Sequence, residues 1–165
     1  MKEIDIRQLK ESAVKMISDD WALLSAGNEN KWNTMTVSWG GIGEIWGKDA
    51  TFVFVRPQRY TKEFIDKDGK FTLSFFDGEM KKEMGICGKF SGRDTDKISM
   101  ADINPVFDND SVYVDKAHYV LFCKVMYADY IKPENFIDKS NDEKWYPQKD
   151  YHKVYVAEIE KVLKK

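Results

Sequence analysis

The chain has 165 residues, of which 42% are hydrophobic, 14% aromatic and 33% charged, and its net charge is −2. This length suits one domain with a proper core, taken as residues 1–165, and the composition is that of a soluble globular protein with more aromatic rings than a small core requires. A near-neutral balance without a basic stretch argues against a nucleic-acid partner, and no apolar run approaches the roughly 18–20 residues of a membrane span.

Met1-Lys2-Glu3-Ile4-Asp5 lacks the apolar core of a signal peptide, and Cys87 and Cys123 have no paired spacing, so a reducing cytoplasm is the expected compartment. Asp5 and Gln8 resemble a capping box, and Leu9, Val14 and Ile17 roughly keep helical spacing, which predicts a helix over 6–18. Trp21 to Ala26 reads as a strand, Gly27 to Asn30 as a turn, and Asn33 to Trp39 as a second strand ended by Gly40-Gly41-Ile42-Gly43. Thr51 to Arg56 is a third strand, Thr61 to Asp68 a helix closed by Gly69, Phe71 to Phe76 a fourth strand and Glu79 to Met84 a helix. Gly85 to Lys97 is rich in turn residues. Strands follow at Ser111 to Val114 and His118 to Ile131, then a short helix at Pro133 to Asp138 and a last strand at Lys153 to Val162. Many strands at short spacing with small inserted helices predict a mainly β fold, an antiparallel barrel with helical decorations. A doubly wound α/β fold would need long helices between strands, and the second half lacks them.

Most familiar site chemistry is missing. The glycines at 40–43 do not complete a dinucleotide fingerprint or a P-loop, and they fit a sharp loop or a close backbone approach better. His118 and His152 are the only histidines and neither has a ligand spacing, so no metal site is expected. His152, where a loop meets the last strand, could border a site or be purely structural. No nucleophile elbow is present, and Cys87 between Gly85 and Gly88 has no activating base, which leaves it an inert thiol.

Two segments stand out. In Arg56-Pro57-Gln58-Arg59-Tyr60-Thr61, proline ends a strand, Thr61 is placed to cap a helix, and two guanidinium groups gather beside hydroxyls and free backbone N–H groups. Those are the donors a phosphate monoester needs. Ser91-Gly92-Arg93-Asp94-Thr95-Asp96-Lys97 is a turn with exposed N–H groups and two more cations. Judged alone, the Arg56 segment is better read as a solvated loop whose arginines pair with nearby carboxylates, and the Ser91 segment also reads as a solvated loop of local Arg–Asp pairs worth about 0–1 kcal/mol each.

Taken in order, Asn33 to Gly40, Arg56 to Thr61, Phe71 to Phe76, Ser91 to Lys97 and the closing Asp150 to Tyr155 resemble the flavin reductase-like, FMN-binding split-barrel family, flavoredoxin-type members above all. The resemblance runs from about Trp21 to Ile159. It implies a split β-barrel of the six-stranded type, a homodimer, and non-covalent FMN near the subunit interface. It implies that Met35, Thr36, Val37, Ser38, Trp39 and Gly40 run beside the isoalloxazine, and that Arg56, Arg59, Tyr60 and Thr61 hold the phosphate. Ser91, Gly92, Arg93 and Lys97 would close over the cofactor. NAD(P)H is the implied electron donor, and a flavin or a protein the acceptor. The flavin carries that chemistry, so no catalytic residue is assigned. A non-enzymatic FMN electron carrier is the alternative, and a barrel without a cofactor would not need the cations.

Overall fold

A computed structural model describes all of residues 1–165. The strands are β1 (Lys2–Ile4), β2 (Ala22–Asn28), β3 (Lys31–Val37), β4 (Gly40–Ile45), β5 (Lys48–Val55), β6 (Lys70–Phe75), β7 (Pro105–Asp108), β8 (Ser111–Val114), β9 (Tyr119–Tyr130) and β10 (Lys153–Lys164). Four α-helices are interspersed: α1 (Thr61–Asp68), α2 (Lys81–Lys89), α3 (Lys97–Ala101) and α4 (Ser140–Trp145).

The main sheet runs β3-β2-β6-β9-β10-β5-β4, with β1 added to β10, and β7-β8 forms a separate hairpin. Every pairing is antiparallel, so the doubly wound alternative is excluded and the mainly β split barrel is the fold. Six strands, β3-β2-β6-β9-β10-β5, curl around the core until β3 and β5 come close without hydrogen-bonding, and that gap is the split. β10 makes the curl possible. Register shifts at Val156/Ala157 and Ile159/Lys161 bend it, so that it pairs with β9, β5 and β1.

Alternation along the strands separates two apolar layers. Ala22, Leu24 and Ala26 of β2 face the barrel interior with Val53, Val55, Leu73, Leu121 and Tyr155. Leu23, one residue out of phase, faces the opposite side with Phe76, Met84, Cys87 and Val114 beneath α2, α3 and β8. β2 is therefore buried on both faces from Ala22 to Gly27, which is why Ala22-Leu23-Leu24 shows no alternation of apolar and polar residues.

Several expectations need correction. The helix over 6–18 does not form as one unit: Asp5 caps a 3-10 turn, Ile6–Gln8, Leu9 is extended, and a π turn occupies Lys15–Asp20. Val14, one of the three residues expected on its apolar face, is 74% exposed, while Met16 and Ile17 are buried. Packing of Ile6 and Leu9 at a separate place on the core overrides the local spacing. Gly40 to Gly43 form the start of β4 and not a loop. α2 begins later than Glu79 and runs through Gly85 and Gly88 to Lys89, so half of the expected turn region is helical. The bare face of Gly88 lets it lie against β3, where an added Cβ would sit 3.4 Å from Thr36 Cβ. The short elements β1, β7, α3 and α4 were not foreseen, and Pro133–Asn135 is only a 3-10 turn.

Candidate functional site

β5 ends at Val55, and Arg56 to Tyr60 wind directly into α1 through Arg59 N–H to Arg56 O (3.1 Å) and Lys62 N–H to Arg59 O (3.0 Å). The helix has the expected bounds, but its cap differs. Tyr60 occupies the cap position with helical dihedrals, and Thr61 is inside the first turn, so the capping role given to Thr61 is wrong. Thr61 is instead fully buried, and its hydroxyl accepts from Asn33 Nδ2 at 2.8 Å, which fixes α1 to β3.

Two clefts meet at this turn. The first, of about 330 Å³, opens along the free edge of β3 and is lined by Met35, Thr36, Val37, Ser38, Trp39, Phe54, Arg56, Gln58, Arg59, Trp145 and His152. The second, of about 160 Å³, is lined by Met35, Gln58, Arg59, Tyr60, Lys89, Phe90, Ser91 and Lys97. Met35, Gln58 and Arg59 belong to both, so the two form one continuous groove, aromatic at one end and cationic at the other.

The cationic end is the unusual one. Lys97 opens α3 and is only 2% exposed, yet its ammonium has no carboxylate within ion-pair distance. Its bonds are long ones, to the carbonyls of Phe90 (3.3 Å) and Cys87 (3.5 Å). Arg59 is likewise unpaired with any acid, and its Nη1 donates to Gly88 O at 2.5 Å. Burial, with Arg59 nearby, lowers the Lys97 amine to about 8. Burial and then Arg56 lower the Arg59 pKa from its ordinary value. Buried cations are ordinarily paired, and a buried lysine beside a half-buried arginine, neither with an acid, defines a place for an anion.

The other predicted site residues divide. Arg56 lines the aromatic cleft, but its charge is taken by Asp150 at 2.6 Å, and Nη2 donates to Trp145 O at 2.9 Å. Gly40, Thr61, Gly92 and Arg93 line neither cleft. Gly40 sits against β5, Gly92 packs on Asn33, and Arg93 points over Tyr60 to pair with Glu63. Arg93 is thus ion-paired, with Glu63 on α1 and not with an aspartate of its own loop.

Phe54, Gln58, Trp145, Lys89 and Phe90 were missed, and His152 was left open. Phe54 was legible as an outward position on β5, between buried Val53 and Val55. Trp145 lies on α4 in a segment without a motif, and only the fold brings it within 5.1 Å of the Trp39 ring. His152 lies 5.0 Å from Trp39, and its Nδ1 is 2.8 Å from the Tyr146 hydroxyl. Burial, then Arg56, push the His152 imidazole down to about 4, with Asp150 opposing, so the ring is neutral at pH 7. Its folded value lies below the ordinary 6.5, so stability is complete above about 6.5 and is lost as pH falls towards 4. Replacing His152 with Gln should remove on the order of 3 kcal/mol of that pH dependence, measured by denaturant unfolding between pH 7 and pH 4. Identical pH profiles for the two proteins would refute the assignment.

A family model, the flavin reductase like domain, matches residues 15–163. The chain belongs to this family. This flavin reductase-like chain is similar in fold to flavoredoxin of Desulfovibrio vulgaris (Miyazaki F), at 19% identity and TM-score 0.68, over 100% of this chain and 77% of the other. It is similar to flavoredoxin from Methanosarcina acetivorans at 21% identity and TM-score 0.65, over 88% and 68% respectively. An FMN-binding protein from Thermus thermophilus with bound p-hydroxybenzaldehyde gives 17% identity and TM-score 0.67, over 100% and 82%. No curated protein matches the chain. No helix of this flavin reductase-like chain is long and apolar enough to cross a membrane.

Proposed function

We propose that the protein binds FMN non-covalently in the joined clefts and acts as an NAD(P)H-dependent flavin reductase of flavoredoxin type, with a flavin or a protein as acceptor. The observation that carries this reading is the unpaired cation pair Arg59 and Lys97 at the end of an aromatic groove. A phosphate monoester supplies the missing negative charge, and a flat heteroaromatic ring suits the other end. The FMN-binding and flavoredoxin names carried by its structural neighbours point the same way. Bound FMN would supply both hydride acceptance and single-electron exchange.

The chain's own residues then have defined roles. Arg59 and Lys97, with the Ser91 hydroxyl and Tyr60, hold the phosphate. The edge of β3 from Met35 to Val37 is paired only with β2, so its outer N–H and C=O groups face the groove and can order the polar edge of a ring. Thr36 keeps that edge in place through its hydroxyl bond to Met84 O at 2.5 Å. Neutral His152 and Trp39 form an uncharged wall, and Arg56 secures the segment that bears Trp145. Arg56 is therefore a positioning residue and not a phosphate ligand.

A homodimer belongs to the same reading. Phe52 (41% exposed), Trp39 and Trp145 form an aromatic surface beside the groove, and aromatic clusters of this kind are enriched at subunit interfaces. A second, non-enzymatic reading as an FMN electron carrier uses the same groove. Purified protein should be yellow and release FMN, not FAD, on denaturation. The dimer should appear by light scattering, and NADH or NADPH should be oxidised when FMN is added. Protein that takes up no flavin refutes the function, while flavin uptake without turnover of either donor selects the carrier.

A further inference from the structure

The Ser91 to Lys97 loop supplies Ser91 and Lys97 to the phosphate end of the groove, while Gln58, Arg59 and Tyr60 form the opposite wall. Arg93 joins the two sides from outside. Its Nη2 pairs with Glu63 on α1, its Nη1 lies 3.4 Å from Gln58 O, and its guanidinium sits 4.7 Å from the centre of the Tyr60 ring. Each of these partners belongs to the Arg59 turn or to the helix that follows it.

The rest of the loop is braced by its own hydrogen bonds and by packing on β3. Arg93 N–H donates to Ser91 Oγ at 3.2 Å, and Asp94 and Thr95 N–H donate to Ser91 O. Gly92 lies so close to β3 that an added Cβ would be 2.2 Å from Asn33 Oδ1. With its backbone fixed, the loop presents Arg93 outward, away from the groove.

We propose that Arg93 is a clasp: a positioning residue that touches no cofactor but ties the phosphate loop to the Arg59 turn and so sets how long a phosphate-bearing ligand stays bound. The inference rests on the FMN reading above. A ligand held between Lys97 and Arg59 is gripped from both walls, and any widening of the gap between them breaks the Arg93–Glu63 pair and the stack on Tyr60. Each contact is individually modest at an exposed site, and together they slow release by about five- to ten-fold.

The test is the rate of FMN release, followed by recovery of flavin fluorescence on dilution of the loaded protein, with riboflavin as a ligand that lacks the phosphate. Arg93→Gln should speed FMN release by about five- to ten-fold, and Glu63→Gln, which leaves the stack on Tyr60, by about two- to five-fold. Neither should change riboflavin release. The double exchange of Arg93→Glu with Glu63→Arg should hold FMN longer than either reversal alone. Glu63→Gln is the decisive variant, because an Arg93 that instead bound phosphate directly would be freed by it, and release would slow. Slower or unchanged release in Glu63→Gln overturns the clasp, as does a double exchange no better than its parts. Thermal unfolding of each variant checks that the fold is intact. Wild-type protein that binds no FMN overturns the clasp and the function together, whereas equal release rates in a wild type that does bind FMN overturn the clasp alone.

Discussion

Replacing Lys97 with methionine should weaken FMN binding by roughly ten- to a hundred-fold while making the ligand-free protein more stable. The two effects share one cause. Lys97 is held almost out of water with only two long carbonyl contacts, and burial lowers its amine to about 8. Hydrogen bonds to a charged partner contribute about 1.5–3 kcal/mol, and that contribution is lost with the ammonium. Methionine fills a similar unbranched volume without a charge to desolvate, so the empty fold gains on the order of 1–3 kcal/mol. Each kcal/mol raises the melting temperature by about 2–4 °C at this chain length. Arg59→Ala should lower the affinity similarly without the gain, because Arg59 also holds the Gly88 carbonyl at 2.5 Å. Wild-type affinity should decline as pH rises past about 8, where Lys97 surrenders its proton, and the methionine variant should show no such step. Titrations with FMN and riboflavin, together with thermal melts, read all of this. FMN affinity that survives Lys97→Met would remove the phosphate assignment.

Gly40→Ala should destabilise the protein by about 3 kcal/mol. A Cβ at this position would lie 2.3 Å from the carbonyl oxygen of Phe52, which precedes Val53, the residue paired with Gly40 across β4 and β5. Backbone cannot move aside as a flexible side-chain tip can, so the β4–β5 pairing must open or shift. Gly43, three residues along the same strand, has no atom within 4 Å of an added Cβ, and Gly43→Ala is the matched control. It should change stability by less than about 1 kcal/mol. Denaturant unfolding measures both. Equal midpoints for the two variants would show that the strand tolerates the methyl group and that the close approach is not what requires glycine.

How much of this was legible in the chain depends on the range of the interaction. The β-branched strands, the turn at Arg56-Pro57 and α1 follow from local chemistry, and the structure has their ends within about three residues. The ordered motifs pointed to the family that the matching model establishes. The N-terminal helix failed because Val14 supplied an apolar spacing that tertiary packing does not use. Gly40 was singled out for approach to a ligand, whereas the close neighbour is the protein's own backbone. Among the cations, sequence could not tell the unpaired from the paired. Arg56 and Arg93 look as available as Arg59 and Lys97 until Asp150 and Glu63 are seen beside them. Trp145 could not be found at all, since its place beside Trp39 depends on how α4 folds back over the groove.

The split between β3 and β5 has a mechanical meaning. β3 and β4 lie at opposite ends of the sheet order, yet only Ser38 and Trp39 separate them along the chain. The two lips of the opening are thus tethered at one end by a very short covalent strap. Trp39 sits on that strap with its ring turned to Trp145 and His152, and it lines the groove. A ligand in the groove lies against the strap itself, so the Trp39 indole fluorescence should report occupancy.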